Sequence, residues 1–130
     1  MFGSKKKLLE PRRATTQLSR AEVIAAVENV CEELNTELRR KASASWIGKK
    51  LGYSEAEAEQ HHDRYLYDTS AAVIRVFLNS RSSASAPKWE AVIRTSAANG
   101  ATTVEMQLVR LELDYKFTYA DFSDALRAAL

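Results

Sequence analysis

The sequence predicts an α+β domain with N-terminal helices, a three-stranded antiparallel meander whose last strand is long and bulged, and a C-terminal helix. Three observations carry this. Apolar residues recur at three- and four-residue spacing from Val23 to Leu38, alternate with polar ones in three later stretches, and return to helical spacing after Tyr119. A chain of 130 residues with 45% hydrophobic content is the size of one domain and can fill a core, which excludes wholesale disorder. The domain is expected over residues 18–130, behind a flexible basic tail at 1–17.

That tail holds Lys5, Lys6, Lys7, Arg12 and Arg13 against Glu10, together with Gly3 and Pro11, and has neither a helical nor a strand period. Five cations against one acid give residues 1–13 a charge of +4, so the overall +2 leaves −2 for the rest. A slightly acidic body argues against a phosphate-binding surface spread over the whole domain. With Phe2, Leu8 and Leu9 beside the lysines, the tail could touch an anionic membrane only weakly, at about 1 kcal/mol per basic residue. No apolar run approaches the roughly 20 residues that span a bilayer, so no membrane span is expected. Cys31 is the single cysteine, which rules out an internal disulfide and a multi-cysteine metal site. With no signal-peptide core after the lysines, a cytoplasmic, reducing location is expected.

The first helix starts at Ser19. Ser19 with Glu22 is a capping box, and Leu18 and Val23 flank it as a hydrophobic staple. Val23, Ile24, Val27, Val30, Cys31, Leu34 and Leu38 share one face only in a helix. Arg39, Arg40 and Lys41 stand at its C-terminal end, where cations suit the dipole. Cys31 lies in the apolar stripe and is expected to be a buried small hydrophobe.

Between Ala44 and Leu66, a short helix with Ile47 and Leu51, a turn at Gly52 and a second helix capped by Ser54 and Glu57 resemble a helix-turn-helix. Ala58, His62, Tyr65 and Leu66 would be its inner face. In a DNA-binding version the second helix enters the major groove. Here it would begin Glu55-Ala56-Glu57-Ala58-Glu59, and three carboxylates repel a polyanion. A nucleic-acid role would therefore rest on Lys5, Lys6, Lys7, Arg39, Arg40, Lys41, Lys49 and Lys50. His61 and His62 are adjacent, about 100° apart on a helix, and cannot share a metal as residues four apart can. No nucleophile elbow, phosphate-cradling glycine loop or H-E-x-x-H occurs, so no catalytic, cofactor or metal residues are assigned.

Strand patterns follow. Ile74, Val76 and Leu78 form one, Trp89, Ala91 and Ile93 the second, and Asn99-Gly100 marks a tight turn into the third. In that third strand Val104, Met106 and Leu108 share a phase, whereas Leu111, Leu113, Tyr115 and Phe117 take the other. A strand has a period of two, so one extra residue near Val109 and Arg110 must be absorbed as a bulge. A helix from Thr118 or Tyr119, with Phe122, Ala125, Leu126 and Ala129 on its apolar stripe, ends the pattern.

In a meander of three strands the last is an edge, and it would overhang the second from Leu111 to Phe117. Edges with exposed apolar rows are usually paired or covered. The leading expectation is a non-catalytic protein-interaction module, an adaptor, assembly factor or inhibitor, using Leu111, Leu113, Tyr115 and Phe117 against another protein chain or a second copy of itself. The alternatives are a nucleic-acid-binding protein and a small ligand-binding or enzymatic cup near Trp89, Tyr65 and His62.

Overall fold

The helical spacing that begins at Val23 forms α1, Arg20–Ala44, in the computed structural model, which describes residues 10–44, 52, 63–80 and 86–130. Its start is the expected capping box: Ser19 N–H donates to Glu22 Oε1 at 3.0 Å and Glu22 N–H donates to Ser19 Oγ at 3.2 Å. Such a cap contributes about 1 kcal/mol. Val23, Val27, Val30 and Cys31 are buried along one stripe, and Leu18 packs against the same core.

That stripe faces a five-stranded antiparallel sheet made of β1 (Arg12–Thr16), β2 (Asp63–Thr69), β3 (Ile74–Ser80), β4 (Trp89–Ala98) and β5 (Ala101–Leu111). The spatial order is β1-β5-β4-β3-β2. Strand alternation puts Ile74, Val76, Leu78, Trp89, Ala91, Ile93, Val104, Met106 and Leu108 on the inner face, all buried. Asn99 and Gly100, with φ of 54° and 77°, join β4 to β5 in the two-residue turn whose twist matches an antiparallel pair. The phase change resolves as expected. Ala91 pairs with Leu108 and Glu90 with Arg110, so Val109 is the extra residue and points to solvent. Without it Leu111 would turn away from Trp89 and leave the core.

After Leu111 the chain bends through a 3₁₀ turn, Leu113–Tyr115, into α2, Lys116–Ala129. Thr118 fixes this bend. Its hydroxyl donates to the Tyr115 carbonyl at 2.7 Å and accepts from Trp89 Nε1 at 2.9 Å, while its own carbonyl accepts from the Tyr65 hydroxyl at 3.2 Å. Tyr119, Phe122 and Leu126 then lie against the sheet, and the Trp89 ring meets Tyr119 edge-on with centroids 5.3 Å apart. Each such aromatic contributes roughly 2–3 kcal/mol through the area it removes from water.

Three expectations are corrected. The sheet has five strands, not three, because the supposed tail supplies β1 and the stretch after His62 supplies β2. Second, the paired short helices after the first helix do not match: α1 runs on through Ala44, and Asp63 to Leu66, expected as the end of a second helix, begin β2. Gly52, at φ 70°, sits in a turn; the rest of that motif lies outside the described residues. Third, the last strand ends at Leu111 and does not overhang. Glu112 N–H donates to the Lys88 carbonyl at 2.8 Å, which matches the end of β5 to the start of β4. β5 is also interior, flanked by β1 and β4.

Candidate functional site

Among the described residues the sheet's two edges are β2 and β1, and they differ. Along β2 runs α1. Asn35 reaches down from it so that its Nδ2 donates to the Tyr65 carbonyl at 2.8 Å and its Oδ1 accepts from Tyr65 N–H at 2.6 Å. A carboxamide bonded in this way occupies the donor and acceptor that a neighbouring strand would use. Arg20 donates to the Ser70 carbonyl beyond one end of β2, and the Tyr67 hydroxyl donates to Glu28 at 3.2 Å. This bond and partial burial raise the Tyr67 phenol's pKa, with burial the larger cause. At Tyr65 the β2 edge is closed by α1.

No such element closes β1 among the described residues. Its register with β5, from Arg12 opposite Met106 to Thr16 opposite Thr102, uses one side of the strand; alternate residues turn their N–H and C=O the other way. Beside that free side lies a cleft formed with α2. Arg12, Arg13 and Ala14 make one wall, Ser123, Leu126 and Arg127 the other, and Val104 and Met106 the floor. The volume of about 40 Å³ takes the tip of a small side chain or a few waters, and is far below the roughly 300–1,000 Å³ of small-molecule pockets.

The charge of this cleft is positive. Arg12 donates to Ser123 Oγ and stands 5.7 Å from the Tyr119 ring centroid. Burial raises the Tyr119 phenol's pKa, opposed in part by Arg12, and its hydroxyl has no hydrogen-bond partner among the described residues. Arg13 pairs with Glu105 at 2.6 Å, but its side chain is 72% exposed against 27% for the carboxylate, so the guanidinium meets solvent first. Arg127 is exposed at the end of α2. The wider trench between α1 and α2 has the opposite character, with Ala25, Ala26, Ala125 and Ala128 bordered by Glu22 and Glu33.

No family model matches the chain, and no curated protein is similar to it in sequence. Function must therefore be argued from the geometry.

The four residues expected to bind a partner are divided. Leu111 is buried opposite Trp89, and Tyr115 is half-buried with the Lys88 ammonium 5.5 Å from its ring. Leu113 and Phe117 are 50% and 70% exposed on the 3₁₀ turn and the first turn of α2. They share no strand. Among the basic candidates, Arg40 and Lys41 both pair with Glu37, whose carboxyl is held below the usual range chiefly by its hydrogen bond from Arg40, and Arg39 donates to Thr36 Oγ1. Lys5, Lys6, Lys7, Lys49 and Lys50 lie outside the described residues, as do His61 and His62.

The outer face of the sheet carries the arginines that composition alone could not place. Arg13, Arg75, Arg94 and Arg110 alternate there with Glu105 and Glu90, and Arg75 makes a double contact to Glu90 Oε2 at 2.7 and 3.1 Å. The large aromatics Tyr65, Trp89, Tyr119 and Phe122 all lie on the opposite, inner side. Tyr65 and Trp89 pack on one another with centroids 6.0 Å apart and almost no exposure, so the expected cup is filled by its own walls. Cys31 is buried, and burial with nearby Glu28 and Glu32 pushes its thiol from 9.0 to about 12, leaving negligible thiolate near neutrality. Among the described residues no group of three or more His, Cys, Asp or Glu is placed to hold a metal. None of their helices is long and apolar enough to cross a membrane.

Proposed function

We propose that the protein is a non-catalytic protein-interaction module that takes an extended segment of another chain as an additional strand along β1. The observation that supports this is the inequality of the two edges: Asn35 occupies the backbone N–H and C=O of Tyr65 in β2, while among the described residues β1 is open and adjoins a cleft with an apolar floor. Strand addition draws its affinity from main-chain hydrogen bonds and its selectivity from pockets for alternate side chains. The cleft is sized for one such side chain. Leu113 and Phe117, exposed and apolar, serve as a second contact for a partner longer than the strand itself.

A nucleic-acid role draws on the outer-face arginines. Single-stranded binding, however, uses several aromatic platforms beside the cations, whereas Tyr65, Trp89, Tyr119 and Phe122 face the core and, among the described residues, only the half-buried Phe77 shares the outer face of the sheet with the arginines. Protein binding is the better fit.

The reading is tested by titrating an isotopically labelled sample with a seven-residue peptide alternating threonine and valine, and with two copies N-methylated at alternate amides, one in each register. Shifts and new amide protection confined to residues 12–16, lost with the N-methylated copy that blocks the pairing side, are expected. Protection elsewhere, or equal binding by both N-methylated registers, overturns it.

A further inference from the structure

We propose that the segment received at β1 is acidic, with a carboxylate within two residues of a small aliphatic side chain. The inference rests on strand addition at β1 and names what selects the strand. Arg12 on β1 and Arg127 on α2 line a cleft whose floor is Val104 and Met106, and Arg13 stands across the strand from it, on the outer face with Glu105. Alternation places Arg12 and Ala14 on the helix side of the sheet and Arg13 on the outer side. An incoming strand therefore meets a guanidinium on each of its faces. Its residue opposite the cleft finds an apolar floor with room for a group about the size of valine's methyls, and the residues on either side of it face the outer side and meet Arg13.

Charge also decides between occupants. A second copy would bring the same Arg12, Arg13 and Arg127 to the contact, and within a Debye length of about 8–10 Å such like charges oppose pairing. Edge cations of this kind guard natural strands against self-association. A neutral strand would strip water from the guanidiniums without replacing it, whereas carboxylates supply charge-assisted hydrogen bonds of the bidentate type that arginine favours. Glu105 does not satisfy this demand, because it lies beneath Arg13 and leaves that guanidinium's outer side to solvent. The occupant that fits is an acidic strand of a different chain.

The experiment compares three labelled peptides by fluorescence anisotropy: Thr-Val-Thr-Val-Thr-Val-Thr, the same with the threonines at positions 3 and 5 replaced by glutamate, and the same with lysine there. The glutamate peptide should bind roughly tenfold more tightly than the neutral one at low salt, and this advantage should shrink as salt rises. Arg13→Gln, at a side chain that is 72% exposed, should remove much of the glutamate-to-neutral affinity ratio. Equal affinity for the glutamate and neutral peptides, or a preference for lysine, overturns the acidic selectivity and leaves strand addition standing. If no peptide binds at millimolar concentration, strand addition itself falls and the selectivity with it.

Discussion

The β2 and β1 edges face the same hazard, a row of unpaired backbone groups, and answer it by different means. At β2 the answer is geometric: one carboxamide from α1 fills the donor and acceptor of Tyr65, and Glu28 and Arg20 tie the helix down farther along, at Tyr67 and Ser70. At β1 the answer is electrostatic: Arg12, Arg13 and Arg127 stand around a groove that stays open. A geometric seal excludes every strand alike. A charged one excludes some and admits others, and on that difference rests the proposal that β1, and not β2, receives a partner strand.

The contrast can be broken from either side. The largest effect is expected for Asn35→Ala, which unseals β2. Losing two hydrogen bonds to a nearly buried strand residue should cost about 2 kcal/mol in urea denaturation, and the exposed edge should make light scattering rise with concentration. If the variant is as stable as the parent, Asn35 does not seal that edge. Tyr119→Phe acts on the other side, beneath Arg12, where it deletes a buried hydroxyl that has no partner among the described residues. It should stabilise the protein by up to about 1 kcal/mol, and a lower melting temperature would mean that the hydroxyl holds an ordered water. Ser19→Ala removes one half of the cap of α1 and should cost about 1 kcal/mol, loosening β2 through its helix but leaving the exchange rates of β1 amides unchanged. Arg13→Ala, at an exposed ion pair, should change stability by less than about 0.5 kcal/mol, yet make β1 more prone to self-association.

Alkaline pH strains the supports of both edges together. Cys31 and Tyr65, under the α1 and β2 seam, and Tyr119, near β1, all have raised pKa values through burial. A raised pKa means the folded state binds the proton more tightly than the unfolded one, so the associated stability is complete below the unfolded value. It declines as pH climbs from about 9 for Cys31 toward its folded value of about 12. Urea midpoints should be flat in this respect below pH 9 and fall above it, less steeply for Cys31→Ala.

What could be read from the sequence follows the reach of the signals. The cap at Ser19, the α1 stripe, the Asn99-Gly100 turn and the bulge at Val109 are each written within a few residues, and each stands where it was expected. β1 is different. Its sequence, Arg-Arg-Ala-Thr-Thr, shows no apolar alternation, and it is a strand because β5 offers a register for it. In β2, Tyr65, Leu66 and Tyr67 fit a helix tail as well as a strand, and Asn35, about thirty positions earlier, is part of what settles the matter. The candidate site was missed for the same reason. Arg12 and Arg127 are at opposite ends of the sequence, and only pairing of β1 with β5 puts them in one cleft. Leu113 to Phe117 kept a strand-like rhythm, but Thr118 bonds back to Tyr115 and turns that rhythm into the start of a helix.

The pairing of β1 with β5 also sets a timetable. Arg13 and the Glu105 it meets are 92 residues apart in the chain. At roughly 5–20 residues per second, the first strand leaves the ribosome on the order of 5–20 s before its partner has been made. During that interval β1 must wait without a sheet to join, and its two arginines keep the waiting segment hydrated. The meander β2–β3–β4 can assemble in the meantime, so the last strand made closes a sheet whose opposite border was the first to be synthesised.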